Sequence, residues 1–184
     1  MELRAIDLDL GDGLAARAAS RADGAAFLAL VRRNVEHIGR YLPGPAAVVT
    51  EAALAAHFDR LEARVAAREL LEWHLFQHGE LVGSLRLNFI EEANRKASVA
   101  YLLDAAWQGR GIVTRALRGV LAHAFGTLGF NRVELRCVTG NRASRRVAER
   151  LGFTHEGRLR QAEVLGGLAQ DCDVYGLLAD EFAA

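Results

Sequence analysis

Two glycines one residue apart, Gly109 and Gly111, sit where a strand-like run, Val99 to Leu103, gives way to an apolar-periodic helix. Glycine at such a turn removes the Cβ that would hold a second backbone or a ligand at a distance. The helix behind it opens with N–H groups that have no carbonyl partner, which makes its N-terminus an anion site. The stretch Gln108-Gly109-Arg110-Gly111-Ile112-Val113-Thr114 is therefore suited to a phosphate or pyrophosphate, although a structural turn without a ligand fits those residues equally well. A dinucleotide fingerprint requires a third glycine three residues after the second, and Thr114 stands there instead. The Gly-Lys-Ser/Thr of a nucleotide-hydrolysing phosphate loop and the Gly-x-Ser-x-Gly elbow of a serine hydrolase are both missing. His74 and His78 are four apart but flank a strand, where that spacing does not converge on a metal as it does on a helix. No metal site is expected.

The elements that must hold this turn can be read along the 184 residues. Leu3 to Leu10 alternates as a first strand. Leu14 to Leu42 reads as helix with a break near Asp23-Gly24, its apolar residues Phe27, Leu28, Val31, Val35, Ile38 and Leu42 at helical spacing. Pro43-Gly44-Pro45 ends it, and Thr50 caps a second helix through Val65. Strands are predicted at Leu70 to Gln77, Leu81 to Ile90 and up to Leu103. The helix after the glycines runs to Gly129. A strand at Arg132 to Val138 and a helix capped by Asn141 and ending at Leu151 follow. Strands at Thr154 to Leu165 and Asp171 to Leu178 close the chain around Gly166-Gly167, with Tyr175 and Leu177 expected in the core. Strands in a row, then strands alternating with helices, predict one α+β domain over residues 1–184, with a central mixed, mostly antiparallel sheet of about seven strands flanked by helices.

Lys plus Arg and Asp plus Glu are balanced at 23 each, which argues against a strong nucleic-acid footprint. Two cysteines, Cys137 and Cys172, make no disulfide framework, and a reducing cytoplasm fits them. The start of the chain has no apolar signal core, and no run approaches a membrane span.

A second segment, Asn141 to Phe153, gives the glycine turn its meaning. Together with Tyr101-Leu102-Leu103-Asp104 and Gln108 to Thr114, it resembles the GNAT superfamily of acetyl-CoA-dependent N-acetyltransferases, whose pyrophosphate signature is Gln-Gly-x-Gly-Ile and whose second cofactor element carries Asn-x-x-Ser and Leu-Gly-Phe. Glu156 to Glu163, Gly166 and Asp171, with Asn88, Ile90, Glu91, Asn94 and Lys96, are similar to the RimJ/RimL type, which acetylates ribosomal-protein N-termini. The resemblance covers nearly the whole chain and implies the GNAT fold, acetyl-CoA as cofactor, and direct attack by an acceptor amine in a ternary complex. That amine is most simply a protein N-terminus. A small-molecule amine such as an antibiotic or polyamine, and a non-catalytic acyl-CoA sensor, are the alternatives. A homodimer is compatible with the resemblance.

Residue by residue, the resemblance implies that Gln108, Gly109, Arg110, Gly111, Ile112, Val113 and Thr114 grip the pyrophosphate. Arg115 is a further candidate cation there, and an ordinary helix arginine otherwise. The strand at Tyr101 to Leu103 would part from Glu134 to Cys137 and admit the pantetheine arm, an N–H near Leu102 or Leu103 meeting the acetyl carbonyl and Asn141 the arm. Ser144 matches the position whose hydroxyl reaches the cofactor sulfur; otherwise it is a first-turn capping serine. Glu163 matches the proposed general base, with Glu91 and Glu92 as alternatives. Asn34, His37, Tyr41, Asn88 and Arg160 are candidates to line the acceptor groove.

Overall fold

A computed structural model describes residues 3–183; Met1, Glu2 and Ala184, the ends of the expected domain, lie outside the described residues. Strands β1 (Leu8–Asp9) and β2 (Leu14–Ala18) precede helices α1 (Gly24–Arg33), α2 (Val35–Gly39), α3 (Pro43–Ala46) and α4 (Glu51–Ala66). Strands β3 (Leu71–Gln77), β4 (Glu80–Glu91) and β5 (Lys96–Leu103) follow, then α5 (Ile112–Ala122), β6 (Arg132–Val138), α6 (Arg142–Arg150), β7 (Thr154–Leu165) and β8 (Leu168–Leu178). They form one sheet in the order β1-β2-β3-β4-β5-β6-β8-β7. Every pairing is antiparallel except β5 with β6.

The eighth strand is β2, and it corrects the long helix expected from Leu14. Gly11, Asp12 and Gly13 all have positive φ and turn the chain tightly, with Leu14 N–H donating to Gly11 O at 2.9 Å. Leu14 and Ala16 then point into the core and Ala15 pairs with Phe76 of β3. Alternation over five residues was too short to outweigh the alanines that suggest helix. Helix begins only at Gly24, after Ser20 caps a 3-10 turn through Ala22 N–H at 3.2 Å. It is interrupted again at Asn34. Pro43 and Pro45 open the short α3 instead of merely ending a helix, as proline in a first turn can. Thr50 caps α4 through Ala53 N–H at 3.1 Å.

The central strands of the sheet are covered on both faces. Ile112, Leu117, Val120 and Leu121 of α5 pack with Trp73, Leu85, Leu87 and Val99 on one side. Phe27, Leu30 and Val31 of α1 and Leu54, Phe58 and Leu61 of α4 pack with Phe76, Leu81 and Leu102 on the other. Two buried faces explain why β3 is buried at all seven positions. Glu72 pairs with Arg86 at 3.0 Å and His74 Nδ1 with Asp23 Oδ2 at 2.7 Å, while His74 Nε2 is buried without a hydrogen bond. Phe27 lies stacked between His57 and His74, so these histidines belong to the α1–α4 layer of the core.

Candidate active site

The site begins with a failure of pairing. β5 and β6 pair only from Lys96↔Arg132 to Val99↔Leu135. Beyond that point β5 stays on β4 as far as Leu103, and β6 stays on β8 as far as Val138. The two central strands therefore part, and a cavity of about 510 Å³ opens between them. Asp104 N–H donates to Val82 O at 2.8 Å, and Leu102 O lies against Gly83, so Leu102 and Asp104 turn their backbone groups to β4. Alternation along the strand then aims the N–H groups of Tyr101 and Leu103 into the gap. Of the two expected positions, Leu103 is the one whose N–H faces the cavity.

The N-terminus of α5 forms one wall. Gly109 and Gly111 both have φ +74°, a conformation that suits glycine, and a Cβ on either would meet no protein atom within 4 Å. These glycines therefore serve backbone conformation and leave the turn open, and do not serve tight packing inside the protein. No side chain caps α5, and Arg115 N–H to Gly111 O at 3.0 Å is its first helical bond. Gly109, Gly111, Ile112, Val113 and Thr114 line the cavity. Arg110 does not; its guanidinium lies 4.6 Å over the Trp107 ring. Arg115 is committed to the Leu10 and Gly11 carbonyls at 2.9 and 2.6 Å and to Asp12 at 3.3 Å.

Helix α6 forms the opposite wall. Asn141 Oδ1 caps it by accepting from Ser144 N–H at 3.1 Å, so the cap fixes the residue whose hydroxyl enters the cavity. Ser144 is 7% exposed, and its Oγ lies 2.7 Å from the Tyr101 hydroxyl. Burial raises the Tyr101 phenol well above its ordinary value, opposed by the bond to Ser144. Burial also pushes the nearby Cys137 thiol up to about 11, aided by Cys172 and opposed by the Ser144 hydroxyl. Both groups are therefore neutral at physiological pH.

Glu163 reaches the cavity from the β7–β8 hairpin. Leu159 pairs with Cys172 and Glu163 with Gln170, so β7 carries two more residues than β8 between these pairs. The bulge is held by Gln161, whose φ is +52° and whose N–H donates to Asp171 Oδ1 at 3.0 Å. Glu163 and Cys172 share a face, and both line the cavity with Leu165. Among the described residues no hydrogen bond ties up the Glu163 carboxylate, which leaves it available to an incoming group.

Helix α2 spans the mouth. His37 Nε2 lies 3.0 Å from Gln108 Nε2, and the Tyr41 hydroxyl donates to Gly140 O at 3.3 Å. His37, Tyr41 and Gln108 all line the cavity. Asn34 does not. It is buried, donates to Leu30 O at 2.9 Å and accepts from Ala105 N–H at 3.0 Å, tying α1 to the turn after β5. Arg33 reinforces this tie through Asp104 at 2.6 Å. Asn88, beside a bulge of β4, and Arg160, in the bulge of β7, also lie off the cavity lining. Glu91 and Glu92 sit at the far end of β5, one bonded to Lys96 at 2.9 Å and the other to Arg68 at 2.6 Å. Sequence reasoning placed Tyr101 and Cys137 on the parting strands but gave no side-chain role to them or to Arg146 and Arg150, which line the cavity too. The i, i+4 spacing of the two arginines on the Asn141 helix was the available signal. Among the described residues no cluster of His, Cys, Asp and Glu is arranged to hold a metal ion.

Residues 14–154 match the acetyltransferase (GNAT) domain family. The putative ribosomal N-acetyltransferase YdaF of Bacillus subtilis is 37% identical over 112 residues, 61% of this chain and 61% of that protein. The ribosomal-protein-serine acetyltransferase of Escherichia coli is 36% identical over 106 residues, 58% of this chain and 59% of that protein. The matched region thus spans about 60% of the length of these curated relatives. A solved structure of RimL, a ribosomal L7/L12 alpha-N-protein acetyltransferase in complex with coenzyme A, superimposes with a TM-score of 0.90 at 29% identity. That superposition covers 96% of this chain and 99% of the other.

Proposed function

Since the chain belongs to the acetyltransferase (GNAT) domain family, we propose that it transfers the acetyl group of acetyl-CoA to an amine, the N-terminal α-amine of a ribosomal protein, in a single ternary complex. The observation that carries this reading is that an uncapped helix N-terminus, the hydroxyl of Ser144 and the free carboxylate of Glu163 all open into one cavity. The acceptor class draws support from the names of the relatives, two of which are called ribosomal-protein acetyltransferases. The residues fit coenzyme A: open left-handed glycines beside free N–H groups suit a pyrophosphate, and an unpaired strand edge suits an extended arm.

The donor supplies an activated thioester; the chain supplies placement and proton handling. The N–H groups of the first turn of α5 hold the pyrophosphate, with the positive end of the helix behind them. The Leu103 N–H, fixed by the strand, donates to the acetyl carbonyl as negative charge develops on it, a preorganised oxyanion contact. Glu163 takes the proton of the attacking amine, directly or through water. An α-amine, with a pKa of about 7.7–8.0 against about 10.4 for lysine, is within reach of a carboxylate base near neutral pH. Ser144 donates a hydrogen bond to the sulfur as the carbon–sulfur bond breaks. His37 on α2 and Tyr41 just after it border the path by which the amine enters. In this reading residues 1–184 act as one domain in the cytoplasm; no helix among the described residues is long and apolar enough to cross a membrane.

The test is thiol release from acetyl-CoA in the presence of peptides bearing ribosomal-protein N-termini, with mass spectrometry of the product. Acetylation of the α-amine is expected. In Glu163→Gln the rate should fall most below about pH 8, where the amine is largely protonated. Turnover only with small-molecule amines would overturn the acceptor assignment, and an unchanged pH profile in Glu163→Gln would remove Glu163 as the base.

A further inference from the structure

We propose that Tyr101 is a positioning residue for Ser144: its phenol donates to Ser144 Oγ and so turns the serine's own proton toward the sulfur of coenzyme A. This rests on the functional reading above in taking coenzyme A as the occupant of the cavity. The two hydroxyl oxygens are 2.7 Å apart, and either atom is able to donate. A serine hydroxyl has one proton and two lone pairs. A phenol is the stronger donor and an alkyl hydroxyl the stronger acceptor, so the favoured direction is Tyr101 to Ser144. The serine proton must then leave on another side. Its backbone N–H is already given to Asn141 Oδ1, and the group on the β6 side is the Cys137 thiol, a weak acceptor. That thiol, which the Ser144 hydroxyl also approaches, competes only weakly for the proton, so a thiolate formed in the open cavity takes it.

The two residues arrive there from different elements. Tyr101 comes from β5, at the point where that strand leaves β6, and Ser144 from the first turn of α6. The contact therefore joins the strand that lines the gap to the helix that walls it. Tyr101 orients and does not itself give up a proton, because burial makes a tyrosinate there costly. When the carbon–sulfur bond breaks, the electron pair stays on sulfur, the Ser144 proton is hydrogen-bonded to it, and the thiolate is reprotonated from solvent. The amine proton leaves separately through Glu163.

The test reads the bound thiol directly. Free coenzyme A is titrated on the full chain by the ultraviolet absorbance of its thiolate. Burial raises both protein thiols, Cys137 to about 11 and Cys172 above its ordinary value, and the titration of the protein without coenzyme A is subtracted; an ordinary thiol ionises near 8.5. An oriented donor holds the bound thiol below that ordinary value. Tyr101→Phe should raise it by about one unit, a roughly tenfold smaller thiolate fraction. Ser144→Ala should raise it at least as far, and adding Tyr101→Phe to Ser144→Ala should change nothing more. Site-specific 3-fluorotyrosine at position 101, a better donor of nearly the same shape, should shift the thiol the other way. In turnover, Tyr101→Phe should lower kcat several-fold with KM for acetyl-CoA unchanged. A Tyr101→Phe shift that is the same with and without Ser144, or no shift in either Tyr101 replacement, overturns the proposal. A wild-type protein that lowers the thiol pKa but acetylates no amine would refute the functional reading and leave this assignment standing.

Discussion

Replacing Gly111 by alanine separates what the glycine turn does for the fold from what it does for a ligand. Gly111 caps α5 with φ +74° and ψ 4°. An L-residue in that region costs roughly 1–2 kcal/mol, and alanine has no polar side chain to offset it. The added Cβ would meet no protein atom within 4 Å, so no steric penalty within the free protein adds to the backbone cost. For a chain of 184 residues that loss corresponds to a fall in Tm of about 2–8 °C, at roughly 2–4 °C per kcal/mol. The strain is present in free and bound protein alike and cancels in the binding equilibrium. A change in affinity therefore reports only whether the ligand needs the space that the methyl group fills. If the pyrophosphate lies against this turn, acetyl-CoA should bind at least tenfold more weakly, about 1.4 kcal/mol. The assays are urea unfolding of the ligand-free protein and calorimetric titration with acetyl-CoA. Gly126 is the control: it is equally open and has no positive φ, so alanine there should cost no stability and no affinity. Unchanged affinity in Gly111→Ala would refute the placement of the phosphates. Unchanged stability would refute the left-handed turn.

Two further outcomes follow from the packing. Asn141→Ala removes the Oδ1 cap on Ser144 N–H and should cost about 1 kcal/mol of stability, while Asn141→Asp retains an acceptor and most of it; because the cap also fixes the Ser144 turn, kcat should drop in the alanine variant more than in the aspartate variant. His57 is held below its ordinary histidine value by burial, opposed by Glu72 and reinforced by Arg86, His74 and Arg60. Its folded state therefore binds fewer protons than the unfolded chain, and its share of stability is complete above about pH 6.5 and declines as pH falls below it. Urea midpoints should drop between pH 7.5 and pH 5.5, and His57→Phe, which keeps a ring against Phe27, should flatten that drop. An equal drop in the variant would assign the acid sensitivity elsewhere.

Most elements were legible because their signals are local. The spans Arg132–Val138 and Thr154–Leu165 match the expected strands residue for residue, and Thr50 and Asn141 cap the helices their side chains suggest. The failure at Leu14–Ala18 was also local in cause: five alanine-rich residues carry little periodicity, and only pairing with β3 makes them a strand. The expected groove residues divided for a different reason. Asn34, His37 and Tyr41 are close in sequence, yet Asn34 turns inward to serve the loop at Ala105 while His37 and Tyr41 reach the cavity. Polar type alone does not say whether a side chain satisfies its own protein or faces a ligand.

Sequence alone determined the turn at Gly109–Gly111, because a left-handed backbone ahead of a helix restricts the residue types that can occupy it, and the two short motifs whose resemblance points to coenzyme A. Tertiary structure decided which backbone N–H groups face the gap, since that depends on where β5 abandons β6 and on which neighbour takes the alternate groups of Leu102 and Asp104. It also took Glu91 and Glu92 away from the site and joined Tyr101 to Ser144 across 43 positions of chain. A hydrogen bond between distant segments is a product of how the elements pack, and no property of either segment encodes it by itself.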